Sequence, residues 1–313
     1  MRLRGTDFGL VWDASGVRNF FDEGYWYHKY LRPFGLDFDS STFVAKTTTL
    51  CANKGNLPLR EDFQPNELLP RCVAIKPLAG VALNAVGLSG PGAKELFETG
   101  QWQKRQDRFF ISFAPITKTP KERILETEEF VKIFRKHLDE FNAPVGLQIN
   151  VSCPNIDSRT YGNLVWEVNQ ILDIAGWLGV LIILKFSIIT PPEVAYQIGL
   201  NLNCDGICVS NSIPFGQLPE LIDWKKLFGD KPPLAHLGGG GLSGKPLLPL
   251  VEKWVKDIRR LGYKKYINAG GGILCERDAD KLFLAGADSI FLGSIAFLRP
   301  WRVGKIIRTF NNL

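Results

Sequence analysis

The sequence predicts an α/β protein that folds as a single (β/α)8 TIM barrel. Short runs of β-branched and apolar residues recur along the chain, and helical patterns fill most of the intervals between them. Alternating strands and helices form a parallel sheet, and eight such units close into a barrel. No low-complexity linker or block of charge offers a domain boundary, so we expect one domain over residues 1–313.

Eight of these runs are long enough to be the barrel strands. We place them at residues 43–48, 82–86, 109–113, 145–151, 181–186, 206–210, 266–269 and 289–292. Apolar residues at helical spacing predict helices at residues 127–141, 161–178, 192–200, 246–261 and 276–285. The first 40 residues and residues 213–237 fit neither pattern. We expect these to be extra segments at the barrel ends, one N-terminal and one between the sixth strand and the sixth helix.

The composition excludes several classes of protein. With 45% hydrophobic and 22% charged residues, the chain is neither disordered nor collagen-like nor a coiled coil. The formal net charge of +6 suits a phosphate-bearing cofactor or an acidic substrate, and it is too small to indicate a nucleic-acid partner.

The sequence carries no signal for a membrane or for export. The longest apolar stretch, residues 174–184, ends at Lys185 and is shorter than the roughly 18 residues of a membrane span. The first residues lack the apolar core of a secretory signal. We therefore expect a cytoplasmic protein with no membrane insertion. Its 6 cysteines are expected to be free thiols, and none has the C-x-x-C spacing of a metal or cluster site.

Polar residues or glycines stand at or just after the end of every predicted strand, where barrels carry their chemistry. They are Lys46, Thr47, Asn84, Ser112, Asn150, Lys185, Asn211, Ser212, Gly271, Gly272, Gly293 and Ser294. A lysine among apolar strand residues must pair with a carboxylate or serve a ligand, because burying its charge alone is costly. Two such lysines, Lys46 and Lys185, favour a ligand over a structural ion pair.

Asparagines on the same face favour a planar ligand rich in amide groups over turns and caps, since each side chain is both donor and acceptor. The four are Asn84, Asn150, Asn155 and Asn211. Glycine clusters at residues 238–244 and 270–272, with Gly293-Ser294, allow backbone N–H groups to approach a phosphate. This glycine pattern fits both a flavin enzyme and a sugar-phosphate isomerase or synthase.

Cys153 is the candidate general base. It follows the fourth predicted strand, between Ser152 and Pro154, in a loop that the proline keeps from becoming helical. A thiol with a reference pKa of about 8.5 acts as a base where its surroundings favour the thiolate.

Several motifs follow one another in a specific order over nearly the whole chain. They lie at residues 14–16, 45–49, 55–60, 83–88, 150–155, 185, 211–212, 240–244, 271–273 and 285–287. In the order and residues of these motifs, the chain resembles the dihydroorotate dehydrogenases, flavin-containing barrels of pyrimidine biosynthesis. Cys153 resembles the base of the soluble class 1 enzymes, whereas the membrane-associated class has serine there and an N-terminal hydrophobic extension.

The resemblance implies oxidation of (S)-dihydroorotate to orotate for UMP synthesis, with Cys153 taking the C5 proton and the C6 hydride passing to FMN. Lys185 would stabilise the reduced flavin. FMN contacts would come from Ala14, Gly16, Lys46, Thr47, Ser112, Asn150, Lys185, Ser212, Ser243 and Gly244, with the phosphate on Gly271, Gly272, Gly293 and Ser294. The substrate would be held by Lys46, Asn84, Val86, Gly87, Leu88, Asn150, Asn155, Asn211 and Ser212.

The resemblance also implies a homodimer, alone or with an iron-sulfur and FAD electron-transfer subunit. Fumarate, a quinone and NAD through such a partner are all acceptors within this family. Departures from the family pattern at Leu57, Ser89, Gly90 and Ala269 leave another dihydropyrimidine substrate open. The main rival is a tRNA dihydrouridine synthase, which has a flavin barrel and a Cys-Pro loop, but these enzymes carry a helical RNA-binding domain after the barrel.

Overall fold

The computed structural model describes residues 2–151 and 161–311. Its strands are β1 (Arg2–Leu3), β2 (Thr6–Asp7), β3 (Val11–Asp13), β4 (Phe43–Val44), β5 (Val73–Lys76), β6 (Val81–Asn84), β7 (Phe109–Phe113), β8 (Val145–Asn150), β9 (Leu181–Phe186), β10 (Gly206–Val209), β11 (Ile213–Pro214), β12 (Gly241–Gly244), β13 (Tyr266–Ala269) and β14 (Ser289–Leu292). Its α-helices are α1 (Trp26–Leu31), α2 (Ala93–Glu98), α3 (Pro120–Lys136), α4 (Tyr161–Ala175), α5 (Pro192–Gly199), α6 (Trp224–Phe228), α7 (Leu247–Arg260), α8 (Glu276–Ala285), α9 (Ile295–Leu298) and α10 (Val303–Asn311).

An eight-stranded parallel sheet forms the barrel, in the order β3-β14-β13-β10-β9-β8-β7-β4. The two end strands meet where the Asp13 N–H donates to the Thr42 carbonyl (2.9 Å) and the Thr42 N–H donates to the Val11 carbonyl (3.0 Å). Helices lie between most of the strands. The predicted (β/α)8 barrel is therefore confirmed, whereas the single-domain boundary of 1–313 stays a prediction.

The prediction of a barrel strand at residues 82–86 is wrong. The strand found there, β6, lies in a separate four-stranded antiparallel sheet of order β11-β12-β6-β5. Its place in the barrel is taken by β3, which lies within the predicted N-terminal extra segment. Three residues are too few to show an alternating pattern, so β3 is recognisable only by its complete burial.

Helix α3 begins at Pro120, seven residues before the predicted start at residue 127. Thr119 caps it, since its hydroxyl accepts from the Glu122 N–H and the Glu122 carboxylate accepts from the Thr119 N–H. This T-P-K-E run is a capping box with proline at the first helical position, a start signal that apolar spacing alone misses. None of the described helices is both long enough and apolar enough to cross a membrane.

Aromatic side chains fill the amino-terminal half of the barrel interior. The Trp12 ring centroid lies 4.7 Å from that of Phe110 and 5.7 Å from that of Tyr266. Outside the barrel, Phe113 stacks on Phe130 of α3 at 3.9 Å. The amino-terminal half of the interior is therefore apolar, and the polar residues lie at the carboxyl ends of the strands.

Candidate active site

A chain of hydroxyl and amide groups crosses the first strands at their carboxyl ends. The Ser15 hydroxyl lies 2.8 Å from that of Thr47, which lies 2.9 Å from that of Ser112. The Ser112 hydroxyl donates to Gln148 Oε1 at 3.2 Å. Ser15 and Gln148 were not predicted. Gln148 stands two residues before Asn150 and therefore on the same face of β8, which is a signal that strand periodicity offers.

Lys46 is buried just beyond β4, with 6% of its surface exposed. Its Nζ donates to the Ser89 carbonyl and lies 4.5 Å from the centroid of the Phe20 ring. Burial lowers the pKa of Lys46 to about 8, although Cys72 and Glu23 oppose this shift. An anionic ligand beside Lys46 would stabilise the ammonium form.

Lys185 occupies the interior of the barrel near the end of β9. It follows Ile183 by two residues and stands in register between Asn150 of β8 and Cys208 of β10. Its Nζ lies 5.5 Å from the Phe291 ring centroid. Burial lowers the pKa of Lys185 and raises the pKa of the Cys208 thiol to about 12. The neighbouring thiol is therefore neutral, and it donates to Asn268 Oδ1 at 3.3 Å.

The structure brings together two of the predicted asparagines. The Asn211 Nδ2 group donates to Asn150 Oδ1 at 2.8 Å and thus joins the ends of β8 and β10. Asn84 ends β6 and donates from Nδ2 to the Gly241 carbonyl at 3.4 Å. A Cβ at Gly241 would contact the Ser212 hydroxyl, so Asn84 and Ser212 lie on either side of this glycine.

The turn at residues 86–88 follows β6 after one residue, Ala85. Gly87 and Leu88 both adopt left-handed backbone conformations, with φ of 69° and 56°. Ser89 comes next, and its carbonyl accepts the hydrogen bond from Lys46. The predicted substrate-binding turn and the predicted substrate-binding lysine are therefore adjacent.

A cradle of glycines follows the last two barrel strands. A Cβ at Gly272 (φ 81°) would lie 2.7 Å from the Leu248 nitrogen at the start of α7 and 2.8 Å from the Gly244 carbonyl. Gly272, Gly244 and the first turn of α7 thus meet closely. A Cβ at Gly271 would lie 3.1 Å from the Ser210 hydroxyl, one residue before Asn211.

The other predicted phosphate residues lie across the next strand. A Cβ at Gly293 would lie 3.0 Å from that of Ala14, and Ser294 directly precedes α9. Gly16, near Ala14, packs against the Lys46 side chain. A Cβ at Gly16 would lie 3.4 Å from Lys46 Cγ. Ser243 lies in β12, paired with Ala82. Gly272 approaches the backbone at the start of α7 too closely for a Cβ, and N–H groups at a helix start suit a flavin phosphate.

Cys153 and Asn155 lie outside the described residues. Within residues 2–151 and 161–311, no group of three or more histidine, cysteine or acidic side chains could hold a metal ion. The described thiols at Cys72, Cys204 and Cys208 are buried, and that of Cys51 is exposed.

The sequence profile of one family, described as dihydroorotate dehydrogenase, matches residues 36–313. The catalytic subunit of the NAD(+)-type dihydroorotate dehydrogenase B of Desulforamulus reducens is 27% identical over 256 residues, 78% of this chain and 76% of that protein. The fumarate-type dihydroorotate dehydrogenase A of Lactobacillus delbrueckii subsp. bulgaricus is 27% identical over 303 residues, 95% of this chain and 87% of that protein.

Solved structures show the same fold. The ligand-free dihydroorotate dehydrogenase of Eimeria tenella superposes with a TM-score of 0.69 at 18% identity, covering 100% of this chain and 85% of that one. The same enzyme in complex with ferulenol gives a TM-score of 0.67 at 16% identity, covering 99% and 82%.

Proposed function

The chain belongs to the dihydroorotate dehydrogenase family, and we propose that it oxidises (S)-dihydroorotate to orotate with FMN as its cofactor. The family consists of flavin-dependent oxidoreductases of pyrimidine biosynthesis. The observation that carries the proposal is the arrangement of the two buried lysines and the Asn150–Asn211 pair around one end of the barrel.

The substrate carboxylate is assigned to Lys46 and to the backbone N–H groups of the adjacent turn, Val86, Gly87 and Leu88. An ammonium group and convergent amides are the donors that a carboxylate prefers. The amide edges of the pyrimidine ring are assigned to side chains that both donate and accept. These are Asn84, Asn150, Asn155, Asn211 and Ser212.

FMN, when bound, accepts the hydride that leaves C6 of dihydroorotate. The residues that would hold it are Ala14, Gly16, Lys46, Thr47, Ser112, Asn150, Lys185, Ser212, Ser243 and Gly244, with its phosphate on Gly271, Gly272, Gly293 and Ser294. We assign to Lys185, in the barrel interior, the role of stabilising as an ammonium group the negative charge that arrives with the electrons.

Cys153 is proposed as the base, three residues after the end of β8. Its sulfur takes the proton from C5, the hydride leaves C6 with its electron pair, and the C5–C6 double bond of orotate forms. The reaction therefore needs the thiolate, which forms more readily as the pH rises toward the thiol pKa.

The test is anaerobic reduction by dihydroorotate, followed as loss of the flavin absorbance near 450 nm. Wild type should release one FMN per chain on denaturation and be reduced faster as pH rises. Cys153→Ala should stay yellow and bind orotate, yet be reduced about 100-fold more slowly or worse, the usual contribution of a general base. Cys153→Ser should be impaired and need higher pH, and Cys51→Ala, at an exposed thiol, is the matched control.

A colourless protein that takes up no flavin would disprove the cofactor assignment. Reduction of the alanine variant at the wild-type rate would remove Cys153 from the reaction. A wild type that ignores dihydroorotate but is reduced by another dihydropyrimidine would keep the mechanism and change the substrate.

The proposal includes a cytoplasmic homodimer, either alone or joined to an iron-sulfur and FAD electron-transfer subunit. Native mass measurement of the purified protein tests the dimer. Reoxidation of the reduced protein by fumarate, by a quinone and by NAD in separate anaerobic reactions identifies the acceptor and shows whether a partner subunit is needed.

A further inference from the structure

Five consecutive carbonyl groups, those of residues 85–89, each accept a hydrogen bond. The donors are the Asn56 side chain to Ala85 (2.7 Å), the Asn56 backbone N–H to Val86 (2.8 Å), the Asn53 side chain to Gly87 (2.8 Å) and Leu88 (3.2 Å), and Lys46 Nζ to Ser89. Three of these five carbonyls are therefore held by the side chains of two asparagines in the segment 53–56. The Val86 carbonyl accepts from the Asn56 backbone and also from the Ser89 hydroxyl (3.0 Å).

This pattern fixes the direction of the N–H groups. In a trans peptide, the N–H points opposite to the carbonyl that shares its plane. Carbonyls of residues 85–88 that face segment 53–56 turn the N–H groups of residues 86–89 away from it. None of these four N–H groups donates to an acceptor in the described part of the chain. Successive N–H groups that point the same way form an anion-binding concavity.

The segment is itself anchored to the turn. Asn53 and Gly90 exchange two backbone hydrogen bonds, both of 2.9 Å. Gly55, with φ of 49°, lies so close that a Cβ would be 2.6 Å from the Val86 carbonyl and 2.8 Å from the Gly87 carbonyl. Backbone contacts therefore fix the segment that carries the two asparagines relative to the turn.

We propose that Asn53 and Asn56 are positioning residues that hold the turn carbonyls, so that its N–H groups face the carboxylate of the substrate. Neither asparagine would touch the substrate. This inference rests on the proposed function, since it assigns the source of specificity for an anionic dihydropyrimidine. The carboxylate is bonded to C6 and keeps its charge while the hydride leaves that carbon, so its contacts are made both before and during the reaction. We therefore expect them to contribute mainly to affinity and little to the saturating reduction rate.

The experiment compares Asn53→Ala and Asn56→Ala with Asn66→Ala, an exposed asparagine whose side chain makes no hydrogen bond within the described residues. Orotate affinity is measured from the change in the flavin spectrum on titration. Rapid mixing with dihydroorotate gives the reduction rate at saturation and the concentration for half-saturation. For Asn53→Ala and Asn56→Ala we expect a weakening of both affinities by about tenfold or more, a saturating rate within about threefold of wild type, and unchanged FMN content. Asn66→Ala should match wild type.

A second ligand separates positioning from general loosening. The neutral methyl ester of orotate has the same ring and no carboxylate charge, so the variants should lose several-fold less affinity for the ester than for orotate. If an alanine variant fails to fold, Asn53→Asp and Asn56→Asp keep the side-chain size, remove the N–H donors and should weaken orotate binding at least as much.

Wild-type orotate affinity in both asparagine variants would overturn the positioning role while leaving the proposed function intact. Equal loss for orotate and its ester would also overturn it, because the asparagines would then support only the fold. A wild type that binds no orotate would overturn the proposed function and, with it, this inference.

Discussion

The two halves of the barrel interior differ in chemistry although the same strands build them. On β7, Phe110 fills the apolar half, and Ser112, two residues later, joins the polar end. On β9, Ile183 is followed in the same way by Lys185. Successive inward positions on a strand are two residues apart. A single step of two residues thus separates the part of the interior that stabilises the barrel from the part that meets ligands.

This division makes a prediction for each half: substitutions in the apolar half should reduce stability and spare the chemistry, and those in the polar half should do the reverse. The reason is that burial of apolar area stabilises the fold, whereas a buried charge that serves a ligand is costly to the unliganded protein. Active sites commonly carry such a local cost.

The largest effect on stability is expected for Phe110→Ala. Phe110 is completely buried; its ring stacks on Trp12 and is tilted against Phe8, with centroids 4.7 Å apart in each case. Removing the ring should lower the free energy of unfolding by about 3–5 kcal/mol. Urea denaturation followed by fluorescence measures this change. The flavin reduction rate of the molecules that stay folded should match wild type, and a rate loss beyond tenfold would contradict the division into halves.

Lys185→Ala should have the opposite effect to Phe110→Ala, with flavin binding or reduction impaired and the fold retained. Loss of the buried cation should remove flavin or slow its reduction by a factor equivalent to about 3 kcal/mol or more, the contribution of a fixed electrostatic stabiliser. The fold should be retained, since the residue lies near the end of β9. Stopped-flow reduction and FMN content measure the outcome. Ile183→Val is the matched control in the apolar half, and near-normal reduction of Lys185→Ala would show that the lysine is structural.

The smallest effect is a pH dependence that arises from Lys46. Burial lowers the pKa of this lysine to about 8, so its ammonium form predominates below that pH and declines above it. Orotate binding should weaken by up to about tenfold for each pH unit above 8, because the neutral amine offers no charge to the carboxylate. Lys46→Arg stays charged and should lack this decline.

The unliganded protein should respond to the same titration with the opposite sign. Between pH about 8 and the ordinary lysine value of 10.5, the unfolded chain binds the extra proton. The contribution of Lys46 to stability therefore rises with pH over this interval. Orotate affinity that is flat from pH 7 to 10 in wild type would contradict the assignment of the carboxylate to Lys46.

The barrel could be predicted from sequence because its strands and helices alternate with strong local patterns. Lys185 stood out for a related reason, since a charged residue within Leu181–Phe186 has no structural explanation at the level of pattern. The three-residue β3 and the antiparallel β6 were misassigned because strand membership depends on partners distant in sequence.

The residues that support the site were harder to predict. Asn53 and Asn56 lie in a loop and act on carbonyls about 30 positions away in the chain, as the Asn56–Ala85 separation of 29 shows. No periodicity marks such contacts, since side-chain to backbone bonds between loops depend on the folded path of both segments. The ligand contacts stay predictions, which the flavin-reduction and orotate-binding measurements test.

The antiparallel pairing of β6 with β12 limits how this chain can change in length. Asn84 stands opposite Gly241, and Ser243 stands opposite Ala82. Deleting one residue from Val81–Asn84 would turn Asn84 to the other face of the sheet, because side chains alternate along a strand. The hairpin turn before β6 has no such constraint at Leu78, which is 99% exposed. We therefore expect insertions and deletions to be tolerated at the tip of this hairpin and to disrupt the pairing of β6 a few residues later.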